Sequence, residues 1–523
     1  MRASIASALL LLSLAPPTLA LPNVPRASLF PPSLHPRTRA AHSRAMAGWR
    51  APLPAAPSSP LLTPAAFGAD PTGAADSAPA FAALTAALVA RCSASGRKLS
   101  DGIMDCGGLV VDLQGGEYKL SAPFAIPQFT GNLRVIDGTL RAAPAFPPEE
   151  YVLGVGAAVC HTASGQGSCN ENVGLSGLTL DGSHVAAGGL RVSATMGATL
   201  DGSSAVFGFT RNGVFIQGGH EVMVAETWVA AYFWSDPEKE KTNTTGILVA
   251  GNDHFLNGVI VFSAKVGVHL TGGAWGVASA RTARAPWLCA APRQKLTPPP
   301  PHPPLFKAAA NKLVDCHTWN EATGNGGIGI LNSASQNIFY GCYLDFTNLV
   351  LAVAQQVSFS GGFFLGNAQA VFAAQKPGDS VVGVSFSGNV WYDCSLPSFA
   401  VNETLGAWGH VLDFDVLGNA FCGGVAPGGL PSATLTAQGF TSGPFDFASV
   451  LLFPSAGIAD ATARGVGCAE ARDATSVVTQ LPSASLVVQV YGMSCNTTIV
   501  TAEQSRRSSW SVLPSGKGGR WRM

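Results

Sequence analysis

The feature that most constrains this chain is an internal repeat. Between Leu175 and about Trp391 a Gly precedes alternating apolar residues, then comes a polar or Gly corner, then a second apolar alternation. First-strand copies are Gly189-Leu190-Arg191-Val192, Gly213-Val214-Phe215-Ile216, Gly246-Ile247-Leu248-Val249, Gly267-Val268-His269-Leu270 and Gly329-Ile330-Leu331-Asn332. Second-strand copies register on Leu200, Val224, Leu256, Val314, Tyr340, Phe359 and Phe386, at spacings of 24, 32, 58, 26, 19 and 27 residues. Short strands with Gly corners at such a period mean stacked rungs, because one rung cannot bury its apolar face alone. No long 3.6-period segment interrupts the pattern, so helical solenoids are excluded. The leucine-rich consensus is absent too. What remains is an all-β chain coiled as a parallel β-helix, with rungs ~4.8 Å apart. Composition agrees. Charged residues are 12% of the chain, about half the usual ~25%, and like charges stacked on successive rungs would repel.

One interval, 58 residues, is anomalous. It contains 277–310, with Pro298-Pro299-Pro300-Pro301 and five positive charges without an acid. Removing about 35 residues restores one rung, so this segment is an insert: a surface loop, or sequence absent from the mature protein. The 11 cysteines are an odd number for a secreted chain, and Cys289 lies in the insert. Cys316 and Cys342 share a register point and should stack within disulfide reach. Cys160–Cys169, Cys92–Cys106, Cys394–Cys422 and Cys468–Cys495 are partners by proximity. No spacing is zinc-like, and nothing calls for a metal or cofactor.

The ends differ from the body. Residues 1–20 read as a signal peptide: Arg2, the run Ala8-Leu9-Leu10-Leu11-Leu12, and Thr18-Leu19-Ala20 for cleavage. Residues 21–60 hold nine Pro and five Arg and no acid, a disordered lead-in; an organelle transit segment is the alternative. The β-helix is placed at 61–422, a C-terminal β-structure at 423–500 and a disordered basic tail at 501–523. With 31 basic and 31 acidic residues the chain carries no net charge, which argues against nucleic acid as partner. No further stretch of ~20 apolar residues suggests a membrane span. Sequons at Asn243, Asn402 and Asn496 fit a secreted or cell-wall glycoprotein. A monomer is expected.

At the head of the repeat stands Phe67-Gly68-Ala69-Asp70-Pro71-Thr72-Gly73, then Asp76-Ser77, either of which can cap a helical run from Pro79 to Arg91. Such a helix would hide the open end of the coil. Gly107-Gly108-Leu109-Val110-Val111-Asp112 and Gly115-Gly116-Glu117-Tyr118 follow. These motifs resemble the pectate-lyase superfamily. Asn212 to Glu221, Gly251-Asn252-Asp253-His254, Val261 to Val268, Trp319 to Gly324, Phe363-Phe364-Leu365-Gly366 and Phe445-Asp446-Phe447 are similar to plant quartet-type polygalacturonases, relatives of glycoside hydrolase family 28. The resemblance spans about residues 65–500 apart from the insert. It implies a right-handed single-stranded β-helix of pectin-lyase type and activity on pectic galacturonan. The Asn-Thr-Asp, Asp-Asp, Gly-His-Gly and Arg-Ile-Lys motifs of that family do not occur here.

Three residues before each registered anchor stand Gly197, Glu221, Asp253, Asn311, Asn337, Gln356 and Gly383. Glu221 and Asp253 are therefore expected to be neighbours, and two close carboxylates suit a general acid beside a base or nucleophile. His220 and His254 flank them. The competing reading is a structural ladder of polar corner side chains. Asp181 and Asp201 are further acids, more simply read as turn caps. The long rung after Val224 carries Trp234 and Asp236, a sugar-stacking ring and an acid, or merely a solvated loop. Lys265 and Arg211 could pair with uronate carboxylates, or simply solubilise the surface. The expected partner is a uronate-containing polysaccharide, and hydrolysis the expected reaction. The alternatives are a polysaccharide lyase and a non-catalytic polysaccharide-binding β-helix.

Overall fold

Alternation of apolar and polar residues sets each strand's two sides. In Asn212–Gln217, Val214 and Ile216 are buried while Phe215 and Gln217 face outward. The computed structural model describes residues 61–157, 168–232, 243–272, 310–319, 327–393 and 395–421, together with the backbone course of the strands between Ser432 and Arg506. The signal, the lead-in and nearly all of the insert lie outside the described residues.

Each rung contributes three strands. One turn is Asn212–Gln217, Met223–Ala225 and Trp228–Ala230; the next is Thr245–Ala250, Phe255–Asn257 and Ile260–Phe262. The turns pair in parallel, Val214 on Ile247, Val224 on Leu256 and Val229 on Val261. The first face is a ten-stranded sheet running from Phe124–Ile126 to Phe399–Asn402. From Met223 to Leu365 the second and third faces carry three-residue strands, joined by two-residue corners such as Glu226-Thr227, Gly258-Val259, Asp315-Cys316 and Gly341-Cys342, and Gly388-Asn389 makes the same corner after the longer strand Ser380–Ser387. The first residue of each corner has a left-handed backbone, φ between 48° and 65°. The second turns inward and is buried. The chain is a parallel β-helix.

The register differs from the sequence reading at two rungs. Leu256 pairs with Leu313, Leu313 with Phe339, and Phe339 with Phe359. Leu313 and Phe339 are the inward anchors, in place of Val314 and Tyr340. A shift of one residue exchanges the faces, and Tyr340 is 57% exposed where Phe339 is fully buried. The anchor column passes from Leu200, Val224, Leu256 and Leu313 to Phe339, Phe359 and Phe386, whose rings stack at 5.6 and 5.9 Å. The long interval leaves the stacking intact: Leu256 pairs with Leu313 across it, and Val266–Thr271, which precedes the insert, pairs with Gly327–Ser333 of the next rung.

Cys316 and Cys342 do share a corner register, but both are free thiols. Cys316 Sγ donates to the carbonyls of Leu256 and Val314 at 3.5 Å, and Cys342 Sγ to those of Leu313 and Tyr340. A hydrogen bond with Cys342 and full burial push the Cys316 thiol well above its ordinary range. The Cys92–Cys106 disulfide is present, and Cys169 is disulfide-bonded. Cys160, Cys394 and Cys422 lie outside the described residues. Cys468 and Cys495 are register partners in antiparallel strands.

Helix α1, Ala78–Ala94, precedes the first full rung. Its buried Phe81 meets Tyr118 and Phe124 edge-on, at 5.4 and 5.0 Å, and the disulfide ties its end to the strand Met104–Asp112. Ser77 occupies the N-cap position, yet its hydroxyl accepts the Asp70 N–H. The Asp76 carboxylate takes the Ala78 N–H instead. No helix among the described residues is long and apolar enough to cross a membrane. After residue 421 come two three-stranded antiparallel sheets. Their last strand ends at Glu503, and Ser505–Arg506 pairs with the rung strand His410–Leu417, so the tail boundary placed at 501 falls inside a strand.

The corrected register makes a contrast in stability. Phe339→Ala should lower unfolding free energy by about 3–5 kcal/mol, as for other buried Phe truncations. Tyr340→Ala should stay within ~0.5 kcal/mol. Denaturant titration of both variants decides it, and equal losses would restore the original anchors.

Candidate active site

The corner leaving the first face toward the second gathers four polar residues from two rungs. His220 and Glu221 follow the strand Asn212–Gln217; Asn252 and Asp253 follow Thr245–Ala250. Gly219 fixes the approach. Its φ is +77°, and a Cβ there would lie 2.2 Å from the Thr195 carbonyl oxygen. His220 N–H donates to that same carbonyl at 3.1 Å. Asn252 bridges the rungs: its Nδ2 donates to His220 Nδ1 at 3.1 Å and to Asp253 Oδ2 at 2.5 Å. The Asp253 oxygen lies 3.5 Å from His220 Nδ1.

Glu221 and Asp253 hold equivalent places one rung apart, since Met223 pairs with Phe255. Both have left-handed backbone, φ 50° and 61°. This is the corner's demand on every rung, for the equivalent Gly197, Ala310, Gln336, Gln356 and Gly383 share it. The strain is architectural and marks no chemistry of its own. Glu221 is exposed, and the Asp253 side chain is 45% exposed.

His254 is placed differently. It is 1% exposed and faces the interior. Val222 N–H donates to its Nδ1 at 3.2 Å, and its own N–H donates to Asn311 Oδ1 at 3.0 Å. Asn311 N–H donates in turn to Asn337 Oδ1 at 3.0 Å, and Asn337 Nδ2 to Asn332 Oδ1 at 2.6 Å. The polar ladder weighed in the sequence therefore exists, one residue further along than Glu221 and Asp253. His254 belongs to it. Asn311 and Asn337, placed level with the two carboxylates by the slipped register, belong to it too.

Arg211 and Lys265 stand at the opposite ends of the first-face strands, before Asn212 and Val266. A six-residue strand, ~20 Å, separates them from the acids, so the structure does not bring them to one site. Arg211 is engaged by Glu149 through two contacts, 2.5 and 2.6 Å. Trp234 and Asp236 lie outside the described residues. Asp181 takes Arg141 Nε at 3.0 Å and the Ser183 N–H at 2.7 Å, the turn-capping role expected of it. Asn252 is not among the site residues expected from the sequence, nor is the outward row of the first face, where Arg191, Phe215, Leu248 and His269 stand in register. The strand alternation itself was the signal for that row. His269 Nε2 lies 3.2 Å from Ser333 Oγ, and burial lowers its pKa.

The chain is similar to the protein named Polygalacturonase QRT3 of Arabidopsis thaliana, at 29% identity over 398 residues, 74% of this chain and 73% of that protein. The likeness to quartet-type polygalacturonases thus runs through most of both chains. No family model matches. Among solved structures, ORF18 of Geobacillus virus E2 aligns with 88% of this chain and 82% of its own at 11% identity and TM-score 0.48. The A-module of the Azotobacter vinelandii mannuronan C-5 epimerase AlgE4 aligns with 69% of this chain and 96% of its own at 11% identity and TM-score 0.37.

His254 sets a pH dependence of stability. Burial, then repulsion from His220, lowers its pKa to about 4, against a weaker opposing pull from Asp253. The unfolded chain takes up the proton near ~6.5. Stability from the neutral imidazole is therefore complete above ~6.5 and lost as pH falls toward about 4, a total on the order of 3 kcal/mol. His254→Asn keeps an acceptor for Val222 and removes the titration. Melting temperatures recorded across this pH window should fall more steeply for the wild type than for the variant; parallel curves would refute the assignment.

Proposed function

We propose that the protein is a secreted, polygalacturonase-like glycoside hydrolase that cleaves pectic galacturonan, with Glu221 and Asp253 as its acid/base pair. The observation carrying this reading is the 29% identity to a polygalacturonase along 398 residues, nearly three quarters of each chain. The site geometry supports it. Two carboxylates occupy equivalent corners one rung apart, ~4.8 Å along the axis. From there their side chains can reach either the ~5–5.5 Å separation of retaining glycosidases or the ~6.5–9.5 Å of inverting ones. One carboxyl protonates the glycosidic oxygen as the bond to the anomeric carbon breaks. The other activates water or attacks that carbon directly. Asn252, donating to Asp253 and His220 together, holds the second rung's carboxylate against the first rung's imidazole. His220 is a polar neighbour of the reacting bond, and His254 supports the corner from inside.

The test uses purified protein and polygalacturonate. New reducing ends should appear, and Glu221→Gln and Asp253→Asn should each lower kcat by at least ~100-fold, the lower range for acid–base catalysis, with melting little changed. Product carrying the absorbance of an unsaturated uronate would make the protein a lyase. Polymer binding without cleavage would make it a binding β-helix.

A further inference from the structure

The ten strands of the first face contain one side chain that is charged at neutral pH apart from histidine, and it is Arg191. It points outward between the buried Leu190 and Val192. In register with it are Gly154 on the rung before and Phe215 on the rung after. Among the described residues nothing lies within 4 Å of a Cβ added at Gly154, which leaves a hollow in the face beside the guanidinium. The guanidinium carbon lies 5.7 Å from the centre of the Tyr151 ring. That ring and Phe215 form a tilted pair at 6.2 Å. Among the described residues its carboxylate neighbour is Glu150, with an oxygen 3.5 Å from Nη2. This is long for a charge-assisted hydrogen bond, ~2.7–2.9 Å, and is a single contact where the Arg fork can make two. Neighbouring Glu149 is taken by Arg211.

A guanidinium beside a hollow and an aromatic ring suits a sugar bearing a carboxylate: the fork takes the anion and the ring takes the sugar face. We infer that Arg191 is a specificity residue that binds the carboxylate of a uronate unit, seated over Gly154 and against Phe215. The acids lie past the ends of the next two strands, Glu221 one rung and Asp253 two rungs further on, ~5 and ~10 Å along the axis, so the unit recognised is taken as a neighbour of the one cleaved. The inference rests on the reading that a galacturonan lies along this face, yet its test needs no turnover.

Retardation of the full-length protein is measured in cold native gels containing either polygalacturonate or its fully methyl-esterified form. Arg191→Gln should weaken binding to the ionised polymer by at least ~10-fold, as for loss of a charge-assisted contact, and leave binding to the ester unchanged. Glu150→Gln, which removes the competing carboxylate, should strengthen binding to the ionised polymer. Equal loss on both polymers for Arg191→Gln overturns the inference, as does wild-type binding. If Arg191→Gln does not fold, the Glu150→Gln arm decides, and unchanged or weaker binding rejects it. A protein that binds with this pattern but releases no reducing ends would sink the hydrolase reading and leave this one standing.

Discussion

Three short strands close into one turn because a residue at the corner adopts a left-handed backbone and sends the chain sharply onto the next face. The conformation disfavours ordinary residues by about 1–2 kcal/mol, yet Glu221, Asp253, Glu226 and Asp315 all adopt it. What offsets it is the ladder beyond the corner. Each strand can then hydrogen-bond through its amides and carbonyls to the rungs on both sides, as the Met223 N–H does to Ala198 and the Glu226 N–H to Asn257. The same geometry divides adjacent residues between two environments. Glu221 and Asp253 turn outward at the corner, and Val222 and His254, one residue later, turn in.

The inward position has its own requirement. At these corners a side chain from the next rung accepts the backbone N–H of the inward residue. His254, Asn311 and Asn337 do so in sequence. Asn389 and Asn419 do the same elsewhere, accepting from Gly362 and Asn389 at 2.8 and 2.9 Å. An imidazole in such a column is held neutral by burial, whereas an amide fills the post at any pH. The candidate site sits directly on this support, so its acids rest on a corner whose inner side is already hydrogen-bonded.

Much of this was legible in the chain. Gly followed by alternation located the first-face strands, and a period near 25 identified the stacking. The N-terminal helix followed from its cap and apolar run, though the cap itself works through Asp76, because the Ser77 hydroxyl serves the Asp70 loop. Alternation gives Val314 and Tyr340 as anchors, where Leu313 and Phe339 fill that place in the structure. Leu313-Val314 and Phe339-Tyr340 offer two large apolar or aromatic side chains in a row, and alternation over three residues cannot tell which points inward. The slip put Asn311 and Asn337 level with the two acids and merged a catalytic reading with a structural one. Separating them took the hydrogen bonds between rungs. Arg211 and Lys265 looked close to the acids in sequence, but each six-residue strand carries the chain the full width of a face.

Corners and strands also differ in how they accept change. A single residue added within a three-residue strand reverses its faces and turns a phenylalanine out of the core. One rung, from Leu256 to Leu313, spans 57 residues, against 26 from Leu313 to Phe339. By chain-closure entropy the longer path costs only about 0.7 kcal/mol more. Such a coil can therefore evolve by lengthening its corners while its strands stay fixed in length. New surface accumulates along its edges, and the frame that holds the candidate site keeps its spacing.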